Sequence, residues 1–349
     1  MMLPACPIRR SGQPSPQHGM TLIELMVAMA LGLLIVLAAA ASLLFAREGF
    51  TAVDAASQLR DNGRFLQNLV LRLGAQTGYK NLRFATETKR LGAAPGNALA
   101  PPDIFGVNNA KRGTQNEWDS GTERQSGEVG YGSDILVLRY QTSSATADSA
   151  TSDKTMIDCA GVAATNVPTE PGDKLVSILY VKEDSAGGEP ALMCARSETG
   201  AAPYDAQPII SGVENFQVLY GVDGIGPANT AVPGMTDRVV DRYLRADQLT
   251  VSGSQPASIN KAATYANWRR VRSIRIGVVL RGPPGSAKPD GGNQTFYPLG
   301  ITKDSASGTE GAAFSSSNDP GSVYTPPFDG RLRQTLTFTV HLRNAQDEN

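Results

Sequence analysis

Glu24 is the only charged side chain between Met20 and Ala46. A carboxylate at bilayer depth is penalised by roughly 2.5–3.5 kcal/mol on insertion scales, so an acid in such a run calls for a partner that neutralises it. That is ion-pair chemistry, not bond making. Signs of catalysis are few. The chain contains no G-x-S-x-G and no G-x-G-x-x-G, and Gly282-Pro-Pro-Gly-Ser-Ala-Lys288 lacks the G-K-[ST] ending of a phosphate loop. Paired carboxylates of the glycosidase kind cannot be read from a sequence, and nothing points to them here. Asp223, Asp237 and Asp241 could be imagined around a cation, but Gly224-Ile-Gly-Pro-Ala-Asn229 lacks the alternating Asp/Asn ligands of a calcium loop. Arg269, Arg270, Arg272 and Arg275 form a basic cluster. A nucleic-acid site would need exposed aromatics beside it to stack bases, so a solvated strand end paired with nearby acids is the simpler reading. The expectation is therefore no enzyme, no cofactor, no metal and no nucleic acid.

The element that must position Glu24 is the apolar stretch Leu25 to Ala46, long enough to span a hydrocarbon core of about 30 Å at about 1.5 Å per residue. A polar, proline-containing leader with Arg9, Arg10 and His18 precedes it and closes on Gly19. A secretory signal peptide cleaved near Ala38-Ala39-Ala40-Ala41-Ser42 would not carry that leader or an acid in a long apolar run. A plain signal anchor explains neither Gly19 nor Glu24. A lipoprotein needs a cysteine just after the apolar core, and Cys6 precedes it.

Gly19-Met20-Thr21-Leu22-Ile23-Glu24 and the run behind it resemble type IV prepilins. The resemblance implies cleavage after Gly19 by a membrane prepilin peptidase and N-methylation of Met20. It also implies that Glu24 pairs with the N-terminal amine of a neighbouring subunit in the fibre. Cleavage would remove His18 and leave His341 as the one histidine, too few for a histidine zinc site. It would remove Cys6 as well. Cys159 and Cys194 then remain, an even number facing an oxidising compartment, and a disulfide between them is expected. Closing a loop of about 35 residues stabilises by roughly 3–4 kcal/mol in the chain-entropy model.

No proline occurs between Pro16 and Pro95, and Leu59, Leu66, Leu69, Val70 and Leu73 fall on one helical face. The helix should therefore run on from the membrane segment for about 80 Å in all, its second half docked on the domain that follows. Gly74 and Gly78 are its expected terminators. A connecting stretch with Pro95, Pro101 and Pro102 comes next, in which Trp118 reads as a packing residue more readily than as a partner contact.

Strand signals follow at Asp134–Tyr140, Lys174–Lys182 and Ala191–Arg196, the last two joined as a hairpin through Asp184–Gly188. Further strands are expected at Pro208–Asp223, Trp268–Leu280 and in the alternating run Leu336, Phe338, Val340, Leu342, whose other face should be wet. Gln141–Asp153, Gly282–Asn293 and Asp304–Ser322 read as surface loops. Lys plus Arg at 32 against Asp plus Glu at 33 names no partner by charge, and 36 glycines and 22 prolines with 19% charged residues suit a loop-rich extracytoplasmic β domain.

The run Gly212-Val-Glu-Asn-Phe-Gln-Val-Leu-Tyr-Gly-Val-Asp223, followed by Val240-Asp-Arg-Tyr243, is similar to the PilW family of minor pilins. The fold class expected is α+β and pilin-like, a long N-terminal helix with a membrane half and an amphipathic half on an antiparallel sheet domain with long loops. The expected divisions are leader 1–19, transmembrane or fibre-core helix 20–46, amphipathic continuation 47–78, connecting region 79–133 and β-rich domain 134–349. The resemblance implies an inner-membrane, single-pass protein with its C-terminal domain in the periplasm, later incorporated at the pilus tip to prime or cap assembly. Its implied partners are the prepilin peptidase, other minor pilins, the major pilin and a tip adhesin, and twitching is among the pilus functions implied. Two alternatives stay open: a minor pseudopilin of type II secretion, and a tip-exposed adhesin or ligand-binding module using the loops Leu82–Tyr131 or Asp304–Ser322.

Overall fold

The computed structural model describes residues 19–84, 100–146, 149–197, 199–287, 292–300 and 319–344. Cys6, Arg9, Arg10 and His18 of the leader, Pro95 of the connecting region and most of the predicted loop Asp304–Ser322 lie outside the described residues. The chain divides into two compact units, one ending at Thr51 and one starting at Ala52.

In the first unit the chain enters helix α1 (Leu22–Gln76), which runs on into the second unit. The side chains from Met20 to Thr51 are exposed except for a half-covered Gly32, including Ile23, Met29, Ile35, Phe45 and Phe50. An 18-residue window of mean hydropathy 2.6, none of it buried, makes α1 long and apolar enough to cross a membrane.

In the second unit α1 becomes one-sided. Ala55, Leu59, Gly63, Leu66, Leu69, Val70 and Leu73 are buried, the stripe expected from the sequence. Each fully buried leucine or valine contributes about 1.5–3 kcal/mol. The helix runs through Gly74, where a Cβ would lie 2.5 Å from Val340 Cγ1, so this glycine serves close packing rather than termination. Gly78, at φ 76°, is the stop, and the freed carbonyls of Ala75 and Thr77 accept hydrogen bonds from Asn344 Nδ2 at 3.1 and 2.9 Å.

The strands are β1 (Ile104–Val107), β2 (Ala110–Lys111), β3 (Thr122–Glu123), β4 (Ile135–Tyr140), β5 (Leu175–Glu183) and β6 (Pro190–Arg196). They continue with β7 (Asp205–Ser211), β8 (Val213–Val222), β9 (Arg242–Leu244), β10 (Val271–Arg281) and β11 (Arg333–His341). They form a five-stranded sheet β1-β4-β5-β6-β7, a four-stranded sheet β11-β10-β8-β9 and the small pair β2-β3, with every pairing antiparallel. One apolar core joins Leu66 and Leu73 of α1 to Ile178 and Leu192 of the larger sheet and Val218, Ile276 and Phe338 of the smaller. The architecture is α+β, as expected.

Besides the role of Gly74, four sequence readings change. Strand structure begins at Ile104, inside the stretch 79–133 read as a connection: β1 is too short to show alternation, yet it pairs with β4. Pro208–Asp223 is two strands in different sheets, because Gly212 at φ 82° turns the chain against the Arg281 carbonyl, leaving no room for a Cβ. Trp268 ends a helix, Ala257–Trp268, rather than starting a strand. Finally, the outer face of β10 and β11 is largely covered, since a Cβ on Gly277 would meet the Pro298 carbonyl and Thr337 Oγ1 donates to it at 2.7 Å. His341 stays exposed.

Candidate functional site

The residues singled out by sequence gather at the start of α1. Gly19 lies in non-helical chain, and no described residue comes within 4 Å of where its Cβ would be, which leaves the peptide bond to Met20 open to them on that side. Thr21 is the last residue before the helix. Its backbone N–H and its hydroxyl both donate to Glu24 Oε2, at 2.9 and 3.1 Å, while Glu24 N–H donates to Thr21 Oγ1 at 3.3 Å. This reciprocal arrangement is a capping box, which satisfies helix-start donors that would otherwise be orphaned. Sequence reasoning found Glu24 and missed Thr21, although the spacing Thr-x-x-Glu before an apolar run is its signature. Glu24 makes no ion pair among the described residues. Around it Leu22, Ile23, Leu25 and Met26 are all exposed. The site can therefore hold one carboxylate, already oriented, on a helix surface that is otherwise uncharged as far as Ala46.

The second unit grips its part of α1 by polar as well as apolar contacts. Gln76 exchanges two hydrogen bonds with Ile157, its amide donating to the carbonyl at 2.8 Å and its Oε1 accepting from the N–H at 3.0 Å. Arg72 donates to the Thr155 carbonyl at 3.1 Å. Those acceptors belong to the long excursion between β4 and β5. The expected disulfide pins the same excursion: Cys159 is bonded to Cys194 of β6, with Cα atoms 5.5 Å apart across a separation of 35 residues.

The remaining candidates are structural in their contacts. Both oxygens of buried Asp223 are engaged, by the N–H groups of Asp237 and Arg238 and by Arg272 Nε. Asp241 accepts from Gly224 N–H at 2.7 Å, and Asp237 caps Val239. These acids organise the β8–β9 connection. In the basic cluster Arg272 pairs with Asp223, while Arg269, Arg270 and Arg275 donate to the carbonyls of Ala100, Val232 and Leu299. Among the described residues Asp223 is thus an acid partner for the cluster through Arg272, and backbone carbonyls accept from the other three arginines. Trp118 packs edge-on against Phe105 at 5.7 Å and lies under the Arg139 guanidinium at 4.7 Å, as a packing residue would.

Charge pairing is densest where β8, β10 and β11 approach the β5–β6 turn. Glu189 binds Arg281 and Arg331, Glu214 binds Arg281 and Arg333, and Asp329 binds Arg331 and Arg333. Partial burial pushes the Glu189 carboxyl up, but the hydrogen bonds from Arg331 and Arg281 outweigh it and hold the group below its usual range. Asp329 behaves in the same way through Arg333.

Comparison with known proteins gives two family matches. The family described as Type IV Pilus-assembly protein W, PilW, matches residues 178–344, and the prokaryotic N-terminal methylation motif matches residues 14–40. The first runs from within β5 through β11 and the second covers Gly19, Met20 and Glu24. Among solved structures, the type IV-like pilin TTHA1219 from Thermus thermophilus aligns over 83% of this chain and 99% of its own, at 14% identity and a TM-score of 0.35, a likeness too distant to argue from. No curated protein sequence matches.

Proposed function

Because this chain is a type IV minor pilin of the PilW family, we propose that it primes or caps the pilus tip, using α1 as the assembly element and Glu24 as its charge lock. The observation that carries this reading is the helix start: one oriented carboxylate, inside the methylation-motif match, on a helix whose surface is exposed and otherwise uncharged as far as Ala46. Prepilin peptidase cuts after Gly19, where the backbone is open, and frees the amine of Met20. In a bundle of such helices the apolar surfaces cover one another, and each Glu24 meets the amine of an adjacent subunit. Thr21 occupies Oε2, which leaves Oε1 to receive that amine. Two charges buried together cost far less than one alone, and losing one partner of such a pair typically costs 3–5 kcal/mol. A single buried polar pairing also sets the axial register between helices. The pair would therefore select correctly staggered subunits as well as hold them.

In this reading the chain sits in the inner membrane through residues 20–46, with its β domain in the periplasm, until it joins other minor pilins. Together they present the first helical template to the major pilin and can carry a tip adhesin. The PilW match favours a pilus over a type II secretion pseudopilin.

The test is prepilin processing and piliation in strains carrying Gly19→Leu or Glu24→Ala. Gly19→Leu should accumulate uncleaved precursor, and Glu24→Ala should be processed yet leave cells with few pili. Wild-type processing and piliation in both strains would sink the proposal, and lost secretion with intact pili would move the chain to the secretion system.

A further inference from the structure

The face of β8 opposite the core is polar, buried and short of partners. Asn215 and Gln217 are 0% and 1% exposed, yet among the described residues both side-chain heteroatoms of Asn215 and the Oε1 of Gln217 have no hydrogen-bond partner. Gln217 Nε2 donates to the Gly132 carbonyl, which fixes the amide and turns Oε1 the other way. The turn Asp319–Ser322 presses on these side chains: a Cβ on Gly321 would lie 2.6 Å from Asn215 Nδ2, 2.6 Å from Gln217 Nε2 and 3.0 Å from the Gly132 Cα. Asn108 Nδ2 donates to Asp319 Oδ1 at 3.2 Å, and its own buried Oδ1 also has no partner among the described residues. Asn109 completes the neighbourhood by donating to Asp134 Oδ1 and accepting from Gly132 N–H.

Charge in this pocket is lopsided. Asp134 and Asp319 are 2% and 3% exposed and make no ion pair among the described residues. The nearby Arg245 is held by Asp247 through two hydrogen bonds of 2.9 and 3.0 Å. Burial pushes the Asp319 carboxyl up to about 6 and Asp134 well above its usual range. Buried polar atoms are paired in nearly all native structures, so several orphans side by side imply a shared partner. The orphans are mainly amide oxygens beside carboxylates. That set repels anions, offers no nitrogen ring or thiolate to a softer metal, and matches the oxygen ligands that calcium takes from Asp, Asn and Gln.

We propose that Asn108, Asn215, Gln217 and Asp319 form a calcium site that fastens the turn Asp319–Ser322 onto β8. It is separate from Asp223, Asp237 and Asp241, whose carboxylates are occupied by backbone and guanidinium donors. Its ligands come from the β1–β2 link, β8 and the turn before β11, so occupancy would tie both sheets together.

The experiment is thermal unfolding of the full chain in detergent micelles at neutral pH, with millimolar calcium chloride or with EGTA. Calcium should raise Tm by about 5–10 °C, the shift given by a ligand in roughly hundredfold excess over Kd in a domain of this size. Asp319→Asn and Asn215→Leu should each abolish most of that shift, and Asn215→Leu should be no less stable than wild type in EGTA because it removes orphaned amide atoms. Identical wild-type Tm values in calcium and EGTA overturn the proposal. So does a full calcium shift that survives both substitutions, or one that disappears in Asp223→Asn instead.

Discussion

The two parts of α1 share one backbone geometry and differ in how their apolar side chains are arranged. Up to Phe50 nearly every large side chain is apolar and exposed, whereas from Ala55 onward buried apolar residues recur at spacings of three and four along one face and Phe65 and Leu71, off that face, stay exposed. A helix apolar all round suits a surrounding as apolar as itself, and a one-sided helix suits a single packed face. The first part therefore spends its hydrophobicity between molecules and the second within one. The acids of the helix start and of the β domain differ in the same sense: among the described residues Glu24 has Thr21 as its side-chain partner, while Glu189, Glu214 and Asp329 of the β domain each have two arginines.

Truncation should separate the two parts most sharply. Leu66→Ala removes a fully buried side chain and should destabilise the β domain by about 2–5 kcal/mol, read as a lowered midpoint in chemical unfolding. Leu33→Ala, on the exposed part, should leave that midpoint unchanged and act on fibre assembly. Equal midpoints for the two variants would break the comparison. Glycines give a smaller contrast. Gly74→Ala drives a methyl against Val340 and should cost about 1–3 kcal/mol, whereas Gly49→Ala meets open space and should only improve helix propensity. A Gly74→Ala protein as stable as wild type would mean that α1 is not seated on β11 as described.

Thr21→Val tests the helix start at lower cost. It keeps the shape of the side chain but removes the hydroxyl, and caps of this kind contribute about 0.5–2 kcal/mol locally. The β-domain midpoint should not move. Piliation should fall less than in Glu24→Ala, since the carboxylate remains but is less well oriented. A Thr21→Val strain as poorly piliated as Glu24→Ala would instead give the hydroxyl a role equal to the acid's.

Sequence was most legible where one physical demand dominated. Membrane-length hydrophobicity, the stripe from Leu59 to Leu73 and the hairpin through Asp184–Gly188 each depend on local pattern, and each is present. The pattern misled where burial comes from two sides. β8 is buried along its whole length because loops cover its polar face, so its end at Gly212 looked like the middle of a longer strand. The helix Ala257–Trp268 was hidden by the strand-like Arg-Val-Arg-Ser-Ile run behind it, although Pro256 followed by an alanine-rich segment marks a helix start. The Asn215 and Gln217 pocket left no local trace, because its members come together only through the Asp319–Ser322 turn.

The smallest effect expected is in the acid dependence of the arginine-rich end of the sheets. Glu189 and Asp329 have folded-state pKa values below their usual ones. A depressed acid contributes stability that is fully present above its unfolded value, roughly 4, and is lost as pH falls through the folded value. Tm should thus decline between about pH 5 and pH 3. Asp134, pushed up by burial, acts in the opposite sense, so wild type alone is ambiguous. Arg331→Gln resolves this, because it removes the guanidinium shared by Glu189 and Asp329 and leaves Asp134 untouched. Since Glu189 and Asp329 are about one-third exposed, the loss at neutral pH should be about 1 kcal/mol or less. The acid slope of the variant should be shallower than that of wild type, and parallel slopes would show that these pairs hold the sheets together no better than solvent does.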